Sequence, residues 1–341
     1  MKIALDATYS VGENLSGVGM YSRELMGALT AAHPQERFDF CYRPHRFLRS
    51  WSAALPANAR RSLLYEPWFP RTHDLFHGLN QRLPKMRLGR TVTTFHDLFV
   101  LTGDYSTPEF RRRFAQQARE AAAASDAIIA VSEFTALQVE GLLAVERARI
   151  HVVHHGVRRP AAHDNAPREK IVLNVGAIQK RKNVAALVEA FEQTASGWKL
   201  KLAGGMGYGA VEILARIEAS PRREDIQVLG YVSQGQLERW YAKARIFVFP
   251  SLDEGFGMPI LEAMAAGVPV IAANGSALPE VCGDAALLVD PQAQAIARAL
   301  QCLMRDDELA AGLVARGLER AAQFSWGKAA EQTWQVYKQV L

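Results

Sequence analysis

Residues 247–273 read F-V-F-P-S-L-D-E-G-F-G-M-P-I-L-E-A-M-A-A-G-V-P-V-I-A-A. Residues 245–250 hold a short apolar run, the pattern of a strand buried on both faces. The loop 251–258 follows, with two glycines and the carboxylates Asp253 and Glu254. Pro259 stands where a helix begins: its fixed φ suits the first helical position, and its missing N–H is no loss there. Ile260, Leu261, Met264 and Ala265 give a short helix its apolar residues, and Gly267 is placed to stop it. Residues 268–273 then read as the next parallel strand. This is one βαβ unit with a carboxylate at each end of its loop–helix joint. Glu254 is expected at the carboxyl end of a parallel strand, where open α/β sheets bind ligands. Glu262 lies one turn inside the helix and faces the same mouth. Backbone N–H groups at Phe256, Gly257 and Met258, with the positive end of the helix, can hold an anion or sugar hydroxyls. The plainer alternative is a solvated turn with two surface glutamates. Glycines, an aromatic and a helix-starting proline packed between two buried strands argue against it.

Outward from this unit the same alternation covers the chain. Before it, strand patterns at 171–175, 200–202 and 227–229 alternate with helical ones at 183–194, 210–219 and 233–244. After it come a strand at 287–289 and helices at 291–304, 307–322 and 326–341. The N-terminal half gives strands at 3–6, 38–42, 75–76, 91–95, 127–131 and 150–153. Its helical faces are Val18-Tyr21-Leu25-Leu29, 111–124 behind the start signal Ser106-Thr107-Pro108-Glu109, and a helix capped by Ser132. Such alternation means parallel, doubly wound sheets. The polar segment 158–169 contains two prolines and is the best linker. The domains expected are therefore 1–160, 161–325 and a final helix 326–341. Two Rossmann-like halves joined this way predict an α/β protein with a ligand cleft between their facing carboxyl edges.

The run from Glu254 to Glu262 resembles the E-x7-E motif of retaining glycosyltransferases of family 4, and the likeness continues through Ala263-Met264-Ala265-Ala266-Gly267-Val268-Pro269-Val270. The resemblance implies the GT-B architecture, with the last helix crossing back onto the N-terminal domain. It places Glu254 beside the transferred sugar and Glu262 on the ribose of the nucleotide. Gly176-Ala177-Ile178-Gln179-Lys180-Arg181-Lys182-Asn183 opens the first helix of the second half, and three cations there oppose the helix dipole unless an anion is present. The segment is similar to the family's R-K-N, which implies that Arg181 and Lys182 grip the donor diphosphate; Ala177 stands where many relatives have an arginine. Ser16-Gly17-Val18-Gly19 follows the first strand. It lacks the last glycine of G-x-G-x-x-G and reads equally as a tight turn, but the family's glycine loop here implies that Gly17 and Gly19 cover the donor diphosphate or admit the acceptor. His96, in Thr94-Phe95-His96-Asp97, reads alone as a satisfied strand-end residue, since neighbours on a strand point to opposite faces. Similarity to the family's histidine implies a hydrogen bond to the transferred sugar. Tyr231 and Val232 fall where similar enzymes seat the nucleotide base. His154-His155-Gly156 replaces the usual Pro-Asn-Gly and shows no metal spacing.

Composition narrows the class. The 341 residues are 49% apolar and 22% charged, without a stretch of about 20 uninterrupted apolar residues. Cys41, Cys282 and Cys302 have neither redox nor metal spacing, which suits a reducing cytoplasm. An early charge in Met1-Lys2-Ile3-Ala4-Leu5-Asp6 speaks for a first strand and against a secretory signal. Up to Pro160 there are 21 Lys and Arg against 15 Asp and Glu; beyond it, 19 against 20. The basic half could touch anionic lipid at the inner membrane face or a diphosphate-bearing acceptor, or simply be a solvated surface. No nucleic-acid recognition module is present in the sequence. The expectation is a cytoplasmic, metal-independent hexosyltransferase without a cofactor, using a nucleotide-sugar donor and a glycan or lipid-linked glycan acceptor. GDP-mannose is favoured over UDP-glucose, because F-H-D-L, V-S-E-F-T and L-P-E-V-C-G-D-A-A-L-L-V-D-P resemble bacterial mannosyltransferases of polysaccharide and lipopolysaccharide assembly. A sugar-nucleotide epimerase or phosphorylase on the same architecture, and a non-catalytic sugar-nucleotide-binding protein, are the rival readings.

Overall fold

The computed structural model describes residues 1–66, 68–69, 72–86, 88–158 and 167–341. The chain forms two compact units, one of Met1–Gly156 with Phe324–Leu341 and the other of Val157–Gln323. The expected boundary after Pro160, and most of the polar linker, fall at 159–166, outside the described residues.

Seven strands build the first unit's sheet: β1 (Lys2–Asp6), β2 (Arg37–Tyr42), β3 (Ala59–Leu63), β4 (Leu75–Gly78), β5 (Arg90–Phe95), β6 (Ala127–Ala130) and β7 (Ile150–Val152). All pair in parallel, in the order β3-β2-β1-β4-β5-β6-β7. Helix starts fall where small polar side chains cap orphan N–H groups. Ser16 accepts from Gly19 at the head of Gly17–Ala32, Thr107 from Phe110 before Pro108–Ala124, and Ser132 from Thr135 before Glu133–Leu143. The last helix, Trp326–Val340, is capped by Ser325. It buries Ala330, Trp334 and Tyr337 in the same core as Ile3, Tyr21 and Leu25, so it belongs to the N-terminal unit as expected.

Six strands make the second sheet: β8 (Glu169–Val175), β9 (Lys199–Ala203), β10 (Ile226–Gly230), β11 (Ala244–Phe249), β12 (Val270–Ala273) and β13 (Ala286–Val289). They too are parallel, ordered β10-β9-β8-β11-β12-β13. The order reverses between β8 and β11, the switch point beside which open sheets leave a crevice at their carboxyl ends. Phe247 and Phe249 of β11 are fully buried, which accounts for its continuous apolar run.

Three local expectations change. The helix after β11 starts at Met258, not Pro259, so proline takes the second helical position. Lys180–Lys182 is a separate 3-10 turn, and the helix proper is Val184–Glu192; Asn183 between them is left-handed at φ 56°. β3, an edge strand reading A-R-R-S-L, has no counterpart among the expected strands, because half-exposed arginines at a sheet edge break the apolar run.

Candidate active site

The β8 and β11 loops meet directly at the second unit's switch point. Glu254 from the β11 loop accepts from Lys182 Nζ at 2.5 Å and lies 3.0 Å from Arg181 Nη1. Side-chain exposure is only 9% for Glu254, 9% for Arg181 and 12% for Lys182. Burial pushes the Glu254 carboxyl up, but Arg181 and Lys182 more than reverse that and hold it at about 2. The group is therefore a carboxylate at any physiological pH. Two cations converge on one carboxylate beside the sheet's carboxyl edge. The anion that the dipole argument demanded is thus supplied in part by the chain itself.

The scaffold around this triad is dense. Arg181 donates to the Asp253 carbonyl and accepts at its own carbonyl from Leu252 N–H at 2.8 Å. Lys182 Nζ lies 4.7 Å from the centre of the Phe249 ring. Asn183 ties the turn to the carbonyls of Pro250 and Pro291, at 3.2 and 2.7 Å. Glu254 N–H donates to Ser276 Oγ at 3.1 Å, and the Glu254 carbonyl accepts from Ala277 N–H at 3.2 Å. The 274–280 segment therefore underpins the loop. Gly257 has φ +108°, and a Cβ there would come within 2.9 Å of Leu278, so only glycine lets Phe256 and Met258 keep this turn. Phe256 is itself buried.

Glu262 belongs to a second polar group of the same unit. It accepts from the Tyr241 hydroxyl at 2.9 Å and lines a small pocket with Arg158, Gln234, Glu238 and Ala266. Burial raises its carboxyl, with Tyr241 and Arg158 opposing that rise. The side chain is half-buried. After β10, Tyr231 is exposed and Val232 half-buried.

Other contributors were absent from the sequence reading. Tyr241 sits on a helix with no motif to mark it. The glycine run Gly204-Gly205-Met206-Gly207-Tyr208-Gly209 was a legible signal. It pairs with the 176–182 loop through Ile178 N–H to Gly205 O, Gly207 N–H to Ile178 O and Lys180 N–H to Tyr208 O, all within 3.0 Å. A Cβ at Gly204 would lie 2.0 Å from the Gly176 carbonyl oxygen. The close approach of these two backbones sets where Lys180, Arg181 and Lys182 stand.

In the first unit, His96 follows β5 and is 7% exposed. Its Nε2 lies 2.9 Å from the Leu79 carbonyl. A carbonyl can only accept, so Nε2 carries the proton and Nδ1 keeps a lone pair. Burial draws the ring down to about 4, with the Leu79 carbonyl opposing, so at neutral pH it is an uncharged imidazole. Tyr21 packs edge-on at 4.6 Å and His155 lies at 5.5 Å, with Trp326 beyond. Tyr21 and His77 both bond Thr94 Oγ1, and His77 bonds the Tyr337 hydroxyl at 2.6 Å. Gly17 is exposed at its helix start; Gly19 is buried with its N–H on Ser16 Oγ, and a Cβ there would meet the Tyr9 carbonyl at 2.6 Å.

Among the described residues no cluster of His, Cys, Asp or Glu could hold a metal ion, and no helix is long and apolar enough to cross a membrane.

Residues 20–159 match the family model described as Glycosyltransferase Family 4, and 158–320 that described as Glycosyl transferases group 1. The O-antigen chain mannosyltransferase B of Escherichia coli is 31% identical across 99% of this chain and 100% of its own length. The serotype-specific mannosyltransferase WbdA of Escherichia coli is 28% identical over 74% of this chain but 34% of itself, so the chain spans about a third of that protein. Among solved structures, sucrose-phosphate synthase of Thermosynechococcus elongatus superposes with a TM-score of 0.80 at 24% identity, covering 99% of this chain and 98% of that one. WaaG, a glycosyltransferase involved in lipopolysaccharide biosynthesis, gives 0.74 at 13% identity, with 98% of each chain covered. At these identities the two structures establish the shared fold.

Proposed function

The chain belongs to the family 4 glycosyltransferases of polysaccharide assembly, and from that premise we propose that it moves mannose, with retention, from GDP-mannose to a hydroxyl of a glycan or lipid-linked glycan. The observation that carries the reading is the buried Arg181-Lys182-Glu254 triad at the β8/β11 switch point. A nucleotide's diphosphate is the natural counter-ion for such a site. Arginine offers it a planar fork and lysine a point charge. The mannosyl assignment rests on the relatives' names, and UDP-glucose is the next donor in order.

In this scheme the bond between the sugar's anomeric carbon and the phosphate oxygen breaks as the acceptor oxygen bonds to that carbon from the same face. Arg181 and Lys182 meet the charge that develops on the leaving phosphate; preorganised charges of this kind are often the largest catalytic contribution. The acceptor proton passes to the departing phosphate. Lys182 must turn from Glu254 towards the diphosphate, and Glu254 then orients a sugar hydroxyl together with N–H groups at Phe256, Gly257 and Met258. Glu262, held in place by the Tyr241 hydroxyl, takes the ribose, and Tyr231 and Val232 border the base. His96 Nδ1 accepts from a hydroxyl of the transferred sugar. Gly17 and Gly19 are assigned to the glycine turn that serves donor or acceptor. Charge neutralisation is assigned to these cations and helix dipoles rather than to a divalent ion.

The test is incubation with radiolabelled GDP-mannose and UDP-glucose over a panel of glycan acceptors, with and without chelator. The anomeric configuration of any product is then read by NMR. An α-mannosyl product formed equally in chelator supports the scheme. Epimerised free sugar nucleotide, or donor binding without transfer to any acceptor, contradicts it.

A further inference from the structure

The edge of the first unit beyond β2 carries a surface that donor chemistry does not explain. Leu48 and Trp51 lie on the 3-10 turn Leu48–Ser52, where residues three apart eclipse on one face. They are 82% and 66% exposed. The turn is fastened to β3 by Arg61, whose Nε donates to the Ser50 carbonyl at 3.1 Å and whose guanidinium also reaches the Ala53 carbonyl. Its guanidinium carbon stands 4.8 Å over the Trp51 ring. Leu63, two residues along β3 and so on the same face as Arg61, is 41% exposed. Large apolar side chains grouped in the open mark a contact surface rather than ordinary scatter.

Charge says what the contact is made with. No Asp or Glu occurs between Asp39 and Glu66, whereas five arginines do. Arg60 and Arg43 lie against the buried carboxylates Asp39 and Asp6. Arg46, Arg49 and Arg61 enter no ion pair among the described residues. A tryptophan and leucines beside uncompensated arginines match an interface with apolar depth and anionic headgroups. A second protein copy would have to bring acidic residues to this face, and a nucleic acid would leave Leu48 and Leu63 in water.

We propose that this edge, formed by the 48–52 turn and β3, is where the protein lies on an anionic lipid bilayer, with Leu48 and Trp51 inserted at headgroup depth and Arg49 and Arg61 on lipid phosphates. It takes no part in donor binding and stands or falls independently of the donor assignment.

The experiment is co-sedimentation of the full chain with vesicles of phosphatidylglycerol and phosphatidylethanolamine, against pure phosphatidylcholine. Wild type is expected to sediment with the anionic vesicles and to be released by high salt. Leu48→Ser/Trp51→Ser and Arg49→Glu should each lower the bound fraction by about fivefold. Both changes are on exposed side chains, so the thermal midpoint should stay at the wild-type value; a further exposed change elsewhere, Val211→Ser, should leave binding intact. Retained binding in the folded double variant overturns the proposal. So does equal binding to phosphatidylcholine, or a lipid-free dimer that the double variant abolishes.

Discussion

Replacing Glu254 by glutamine keeps the side chain's shape and removes its charge, leaving Arg181 and Lys182 buried without their anion. The cost can be worked from the carboxyl itself. Its ordinary value of 4.5 falls to about 2 because the two cations outweigh the effect of burial. That drop corresponds to about 3 kcal/mol at about 1.4 kcal/mol per pH unit, in line with the ~3–5 kcal/mol seen when one member of a buried pair is removed. Since the folded value is depressed, the stabilisation is complete above pH 4.5 and fades as pH falls towards 2. Urea unfolding followed by tryptophan fluorescence should therefore show Glu254→Gln less stable by about 3 kcal/mol at pH 7, with the gap shrinking below pH 4.5. Pyrophosphate should recover part of the loss, because the variant's cations lack their internal partner. Equal stability at pH 7, or a gap unchanged in acid, would refute the claim that charge pairing holds this loop.

Lys182→Ala should lower turnover with GDP-mannose by about 100-fold or more while circular dichroism stays that of wild type; undiminished turnover removes lysine from the mechanism. Gly257→Ala should destabilise the second unit by about 1–3 kcal/mol, from a strained φ and the approach to Leu278, as read from its thermal midpoint. The His96 ring should remain neutral to about pH 5 and protonate near pH 4 in a nitrogen-15 NMR titration. Because its folded value lies below the ordinary 6.5, it makes the protein less stable as pH falls below 6.5; a midpoint near 6.5 would contradict its burial against Leu79. Tyr241→Phe should raise the donor KM about threefold with little change in kcat, reporting Glu262's hold on the donor; equal KM values would detach that pair from the nucleotide.

The sheets were the most legible part of the chain. Runs such as Ile128-Ile129 and Phe247-Val248-Phe249 are buried on both faces, and only parallel sheets covered by helices ask for that. Caps were readable where the cap is a hydroxyl, as at Thr107 and Ser132. β3 escaped because an edge strand with Arg60 and Arg61 has no period to find. Arg181, Lys182 and Glu254 were found as chemistry, but their pairing was not, since it joins loops 72 residues apart in sequence. Periodicity cannot say which carboxylate a lysine chooses. The same limit hid Tyr241 behind Glu262, whereas the glycine run at 204–209 stood in plain view and needed only the observation that two backbones touch there.

The central claim is that Lys182 and its neighbour grip a nucleotide's diphosphate at the β8/β11 switch point. Calorimetric titration of GDP into wild type and into Lys182→Met, at low and moderate salt, tests it most directly. The account predicts binding that weakens with salt in the wild type, and an affinity at least about tenfold lower with a shallower salt dependence in the variant. Equal affinity and equal salt dependence in the two proteins would contradict it.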